Sequence, residues 1–158
     1  YYEWYQGAHL DTRKAGGSMH KSESILSTLF YGFNKDSLFL RLDSIVPFRE
    51  LTDEMTFSVD ITKPLQSRIH ITLKPSLQAE LFRKIESSWT KIQDIPDVAA
   101  EDIFEMKVPF SALNAREKDE ISLSISVMKN GEEIERCPFR GHITLTVPTP
   151  DFEAMMWY

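Results

Sequence analysis

Residues Leu29 to Asp43 read L-F-Y-G-F-N-K-D-S-L-F-L-R-L-D. Two runs of alternating character flank a polar turn, Asn34-Lys35-Asp36-Ser37. Leu38, Leu40 and Leu42 share one parity, and Phe39, Arg41 and Asp43 share the other. A strand sends alternate side chains to opposite faces, so this stretch spells a hairpin with one apolar face and one mixed face.

Working outward, the same alternation recurs along the chain. The hairpin strands are expected near 25–33 and 37–45, followed by a loop holding Pro47. Phe57, Val59 and Ile61 alternate with Ser58, Asp60 and Thr62 in a strand stopped by Pro64. Ile69, Ile71 and Leu73 mark the next, and residues 77–86 another. Residues 1–24 read as irregular, broken by Gly7, Gly16, Gly17 and Ser18. Residues 87–101, with Trp89 and Pro96, read as a loop. Phe104, Met106 and Val108 begin a strand ending at Pro109, and 111–119 is a polar connection. Ile121, Leu123, Ile125 and Val127 alternate with serines up to Asn130-Gly131, a type I′ hairpin signal. Strands at 132–137 and 143–147 complete the set. About nine short strands with regular turn signals predict an all-β fold. The expectation is one antiparallel β-sandwich over residues 1–158, immunoglobulin-like or jelly-roll-like. A closed barrel has similar local signals.

The bulk composition narrows function by exclusion. Lys and Arg number 18 against 24 Asp and Glu, a formal charge of -6. Phosphate binding needs clustered cations, so nucleic acid is not an expected partner. No apolar run approaches the roughly 20 residues of a membrane span. Cys137 is the one cysteine, so no intramolecular disulfide forms, and a reducing cytoplasm is the expected compartment. No signal peptide is visible. Tyr1-Tyr2-Glu3-Trp4 at one end and Met155-Met156-Trp157-Tyr158 at the other suggest a piece of a longer multidomain chain, with aromatic ends that pack.

Candidate chemistry is thin. His9, His20, His70 and His142 lack ligand spacing for zinc. Calcium is compatible with acidic loops near Asp11, Asp43 or Asp60, although no EF-hand pattern is present. No nucleophile elbow or phosphate loop occurs, and Cys137 reads as a packed side chain. Glycoside hydrolysis needs paired carboxylates. Glu3, Glu23, Asp43, Asp60 and Glu105 all sit beside strands, yet nothing singles out a pair. Met19-His20 offers haem ligand types, but neighbours in an extended loop cannot occupy opposite sides of one iron. Aromatic residues remain. A sugar ring presents a flat C–H face, so a binder needs an exposed aromatic plane flanked by polar groups. Trp89 is the best candidate for that role, with Trp4 and Trp157 behind it because aromatics near the ends more often pack. Gly32 inside a strand suggests a close backbone approach or a bulge.

Five stretches taken together carry a resemblance: E-W-Y-Q-G-A at 3–8, G-S-M-H-K at 17–21, F-Y-G-F-N-K-D-S-L-F-L-R-L-D at 30–43, D-I-F-E-M-K-V-P-F-S-A-L at 102–113 and V-P-T-P-D-F-E-A-M-M-W at 147–157. The chain resembles the β-sandwich domain that follows the catalytic region in some family 57 glycoside hydrolases, the α-amylase and amylopullulanase relatives. It is also similar to a wider group of DOMON-like domains, glucodextranase C-terminal domains and family 9 carbohydrate-binding modules. The resemblance implies a non-catalytic accessory domain. Its partner would be the catalytic domain of the same chain, and α-glucan is the alternative ligand. Gly7, Met19, His20, Gly32, Arg41 and Asp43 fall in the matching stretches as fold determinants, with Arg41 and Asp43 expected as a structural charge pair. The catalytic motifs of that family lie in a separate barrel, so no catalytic residue carries over.

Overall fold

A computed structural model describes residues 7–12 and 24–152. Within them twelve strands form: β1 (Ala8–Asp11), β2 (Leu26–Phe33), β3 (Ser37–Ser44), β4 (Met55–Lys63), β5 (Ser67–Thr72), β6 (Gln78–Ile85), β7 (Ser88–Asp94), β8 (Val98–Ala100), β9 (Phe104–Pro109), β10 (Glu120–Lys129), β11 (Glu132–Cys137) and β12 (Ile143–Thr146). They make two antiparallel sheets, so the all-β sandwich expected from the alternation is the fold observed. The smaller sheet runs β1-β2-β3-β9-β8 and the larger β11-β10-β4-β5-β6-β7, with β12 also on β10.

The hairpin centres the smaller sheet. Asn34 Oδ1 accepts hydrogen bonds from the backbone N–H of Asp36 and of Ser37, both at 2.8 Å, which closes the turn. That turn fixes Leu42 opposite Leu29 and Leu40 opposite Tyr31. On the other side of β3, Val108, Met106 and Phe104 lie opposite Leu38, Leu40 and Leu42. The larger sheet answers with Phe57, Val59 and Ile61, then Ile69 and Ile71, then Ala79 and Leu81, all buried. One contiguous apolar cluster fills the space between the sheets. Phe48, on a short 3-10 turn, ties them together: its ring lies 5.2 Å from Phe57 on the larger sheet and 5.9 Å from Phe104 on the smaller. At Asn130-Gly131 both residues take positive φ, 52° and 80°, as the β10–β11 turn requires.

Three of the twelve strands lie where loops are expected. Residues 8–11 pair with β2 as β1, inside the segment read as irregular. The segment 87–101 is a strand, β7, then a crossing to the other sheet, then β8. β7 is exposed along its whole length, so it has no apolar face to betray it. Gly32 sits in regular register opposite Phe39, and the irregularity in this hairpin lies between Leu26 and Thr28 instead.

A carboxylate also joins the two sheets. Glu135 on β11 accepts hydrogen bonds from Ser24 Oγ at 2.8 Å and from the backbone N–H of Ile25 at 2.7 Å and Leu26 at 3.3 Å. Glu135→Ala strands the two backbone donors, Ser24 Oγ keeping Leu26 O at 2.7 Å as acceptor, and should cost about 1–3 kcal/mol in urea unfolding. A change within error would show that water replaces the carboxylate at no cost.

Cys137, opposite Ile125 in the core, offers a pH test. Burial, aided by the Glu135 charge, pushes its thiol from 9.0 up to about 12. The folded chain therefore keeps this proton where the unfolded chain loses it, and the thiol's contribution to stability falls as pH rises from 9.0 to about 12. The slope is at most about 1.4 kcal/mol per pH unit. Cys137→Ala should flatten the alkaline decline in the denaturation midpoint, and an identical decline in both proteins would refute the assignment.

Candidate functional site: the outer face of the larger sheet

Outward positions on the larger sheet are mostly polar, with Phe82 and Trp89 among them. Ladder register fixes which side chains share this face. Trp89 is paired with Lys84, Lys91 with Phe82, and Asp94 with Glu80; the partners on β6 share one parity, and a register shift brings Asp94 onto the same face as Trp89 and Lys91. On the next strands Arg68 is opposite Phe82, and Asp60 is opposite Arg68. Ser124 and Ser126 of β10 continue the rows next to Asp60 and Ser58.

Trp89 is 38% exposed, and the carbon of the Arg68 guanidinium lies 4.8 Å from its ring centroid. Arg68 Nε in turn donates to Asp60 Oδ1 at 2.5 Å. The ion pair holds the guanidinium and the guanidinium holds the indole, so the ring is a positioned plane. Ser126 Oγ lies 3.2 Å from Asp60 Oδ2 and 2.6 Å from Glu133 Oε1, and its single proton serves one carboxylate at a time.

Further along β7, a cleft of about 320 Å³ opens where the chain leaves for β8. Leu77, Ala79, Ile95, Pro96 and Val98 give it apolar walls, and Gln78, Glu80, Lys91 and Asp94 give it polar groups. Lys91 Nζ is 2.9 Å from Glu80 Oε2 and 2.9 Å from Asp94 Oδ1. The hydrogen bonds to Asp94 and then to Glu80 raise its pKa above the ordinary lysine value.

The other sequence candidates lie elsewhere. Arg41 and Asp43 form a bidentate pair at 2.7 and 2.9 Å on the outer face of the smaller sheet, with the Arg41 guanidinium 4.7 Å from the Phe30 ring centroid. The hydrogen bond to Asp43 raises the Arg41 pKa further. His9 stacks beside the same ring, 5.8 Å between centroids. Gly7 occupies the bend before β1. Trp4, Trp157, Met19, His20, Glu3 and Glu23 lie outside the described residues. Asp43 and Asp60, the two acidic candidates now bound to arginines, belong to different sheets. Among the described residues no group of three or more His, Cys, Asp or Glu is placed to hold a metal ion. Nor does any helix among them have the length and apolarity to cross a membrane.

Trp89, expected in a loop, lies on β7, which gives the ring a fixed direction and the partner Arg68 that its residue type alone does not reveal. Arg68, Glu80, Lys91 and Asp94 carry no motif. They share a face only through the β6–β7 pairing and its register shift, which puts Asp94 beside Lys91 despite its opposite parity. Comparisons with protein-family models, curated proteins and solved structures give no match.

The Asp60–Arg68–Trp89 chain predicts a spectroscopic response. Arg68→Ala should leave stability nearly unchanged, within about 1 kcal/mol. It should increase acrylamide quenching of tryptophan fluorescence, and the increase should vanish in a Trp89→Phe background. Unchanged quenching would mean that the ring is held without the arginine.

Proposed function

We propose that this chain is a non-catalytic accessory β-sandwich of a family 57 type glycoside hydrolase acting on α-glucans, and that it packs against and stabilises the catalytic domain. One observation supports this reading above others: the described parts of four of the five resembling stretches, dispersed in sequence, converge on the smaller sheet, while residues 17–21 lie outside the described residues. Residues 30–43 make most of β2 and β3, and 102–113 make β9 and the turns after it. Ala8, closing the first stretch, pairs with Tyr31 of β2. In the last stretch, the Phe152 ring lies 5.3 Å from Phe33 at the end of that strand. The outward face of this sheet mixes Phe30, Phe39 and Lys107 with the Arg41–Asp43 pair, a composition suited to an interdomain surface. The buried single thiol fits a cytoplasmic home.

The test uses the full-length enzyme. Calorimetric melting should show the catalytic domain unfolding at lower temperature once this domain is deleted. Lys107→Glu, exposed on the outer face of the smaller sheet, should reproduce part of that shift while leaving the melting of the 158-residue chain unchanged. A catalytic domain that melts identically with and without its neighbour would refute the packing role.

A further inference from the structure

We propose that the outer face along β7 binds a neutral, polyhydroxylated chain, an oligosaccharide laid from the Trp89 ring to the cleft at Glu80, Lys91 and Asp94. This goes beyond the packing role, which uses the opposite sheet, and rests on that reading only for the first probe. The argument runs from the chemistry of the two ends. Trp89 offers a held aromatic plane, to which the C–H face of a sugar ring is complementary. The cleft combines apolar walls, Leu77 and Pro96 among them, with a few convergent polar groups, which is the make-up of a small-ligand site. Its carboxylates accept hydrogen bonds from hydroxyl groups, and its ammonium donates to hydroxyl or ring oxygens.

Charge excludes the competing ligands. Two carboxylates around one ammonium leave the cleft with net negative charge, which disfavours phosphorylated or uronic acid ligands. A cationic ligand fares no better in the cleft, because Lys91 already sits between the two carboxylates. An extended peptide added to the edge of β7 would meet the register irregularity opposite Leu81 and Phe82, which spoils a regular ladder. Length selects a chain over a single ring: Trp89 to Asp94 spans five residue steps, roughly 16 Å of strand.

Isothermal calorimetry and backbone amide shift mapping on the 158-residue chain, with maltoheptaose as the first probe, test the site. Cellohexaose serves as a second neutral probe and polygalacturonate as an anionic one. Maltoheptaose should bind and shift amides of β6 and β7. Trp89→Ala should weaken it about tenfold or more. Asp94→Ala should weaken it measurably, and Lys107→Glu on the opposite sheet should not. Shift mapping on the unaltered chain keeps the test open if a variant misfolds. Binding of cellohexaose without maltoheptaose would uphold the site while removing the α-glucan context. No heat and no shifts with either neutral probe, tighter binding of polygalacturonate, or binding indifferent to Trp89→Ala would each overturn the proposal.

Discussion

Strand β10 is buried on both of its faces, and the larger sheet is arranged around that constraint. Ile121, Leu123, Ile125 and Val127 point into the core, while Ser122, Ser124 and Ser126 point away from it and are buried as well. A central strand can be closed over on its outer side only if its outward residues are small, since long side chains there would push the neighbouring strands' side chains apart. Serine meets the size limit, and its hydroxyl can meet polar neighbours. Ser126 does so directly, lying between Asp60 from β4 and Glu133 from β11. With β4 along one edge and both β11 and β12 along the other, β10 sets the register of most of the sheet's length.

That arrangement explains which parts of the fold were legible in sequence. Alternation announces a strand when one face is apolar, so β2, β3, β4, β5, β9 and β10 could be read directly. It also announces a turn when the backbone requires particular residues, as at Asn130-Gly131. It fails for an edge strand beyond the core. β7, Ser88-Trp89-Thr90-Lys91-Ile92-Gln93-Asp94, buries neither face and carries an irregularity that breaks even its polar parity. β8 has three residues, too few to show a period. β1 has four and depends on β2 for its pairing. Trp89 could be chosen from its residue type, but its neighbours could not, because they come together through pairing across four strands.

Asp43 is committed to Arg41 and Asp60 to Arg68, and the two carboxylates stand on opposite sheets. Hydrolysis of a glycosidic bond needs two carboxylates flanking one gap, roughly 5–10 Å apart. Asp43 and Asp60, divided between opposite outer faces with a packed core between them, do not meet that geometry. The same ion pairs suit a binding surface, where a fixed charge positions an aromatic plane or presents several acceptors at known spacing.

The two faces of the sandwich thus differ in what they present to solvent. The smaller sheet presents aromatic and charged groups together, Phe30 and Phe39 beside Arg41, Asp43 and Lys107. The larger sheet presents a held indole, buried serines and a cleft whose one ammonium is balanced between two carboxylates. Surface charge that has already found its partner adds little to stability, so a run of such pairs on one face calls for another reason. Geometry supplies one: Arg68 and Lys91 both belong to the face that carries Trp89, and each holds something in place there. A domain that docks by one sheet can carry a ligand on the other, and the solid core between them lets each face change without disturbing its opposite.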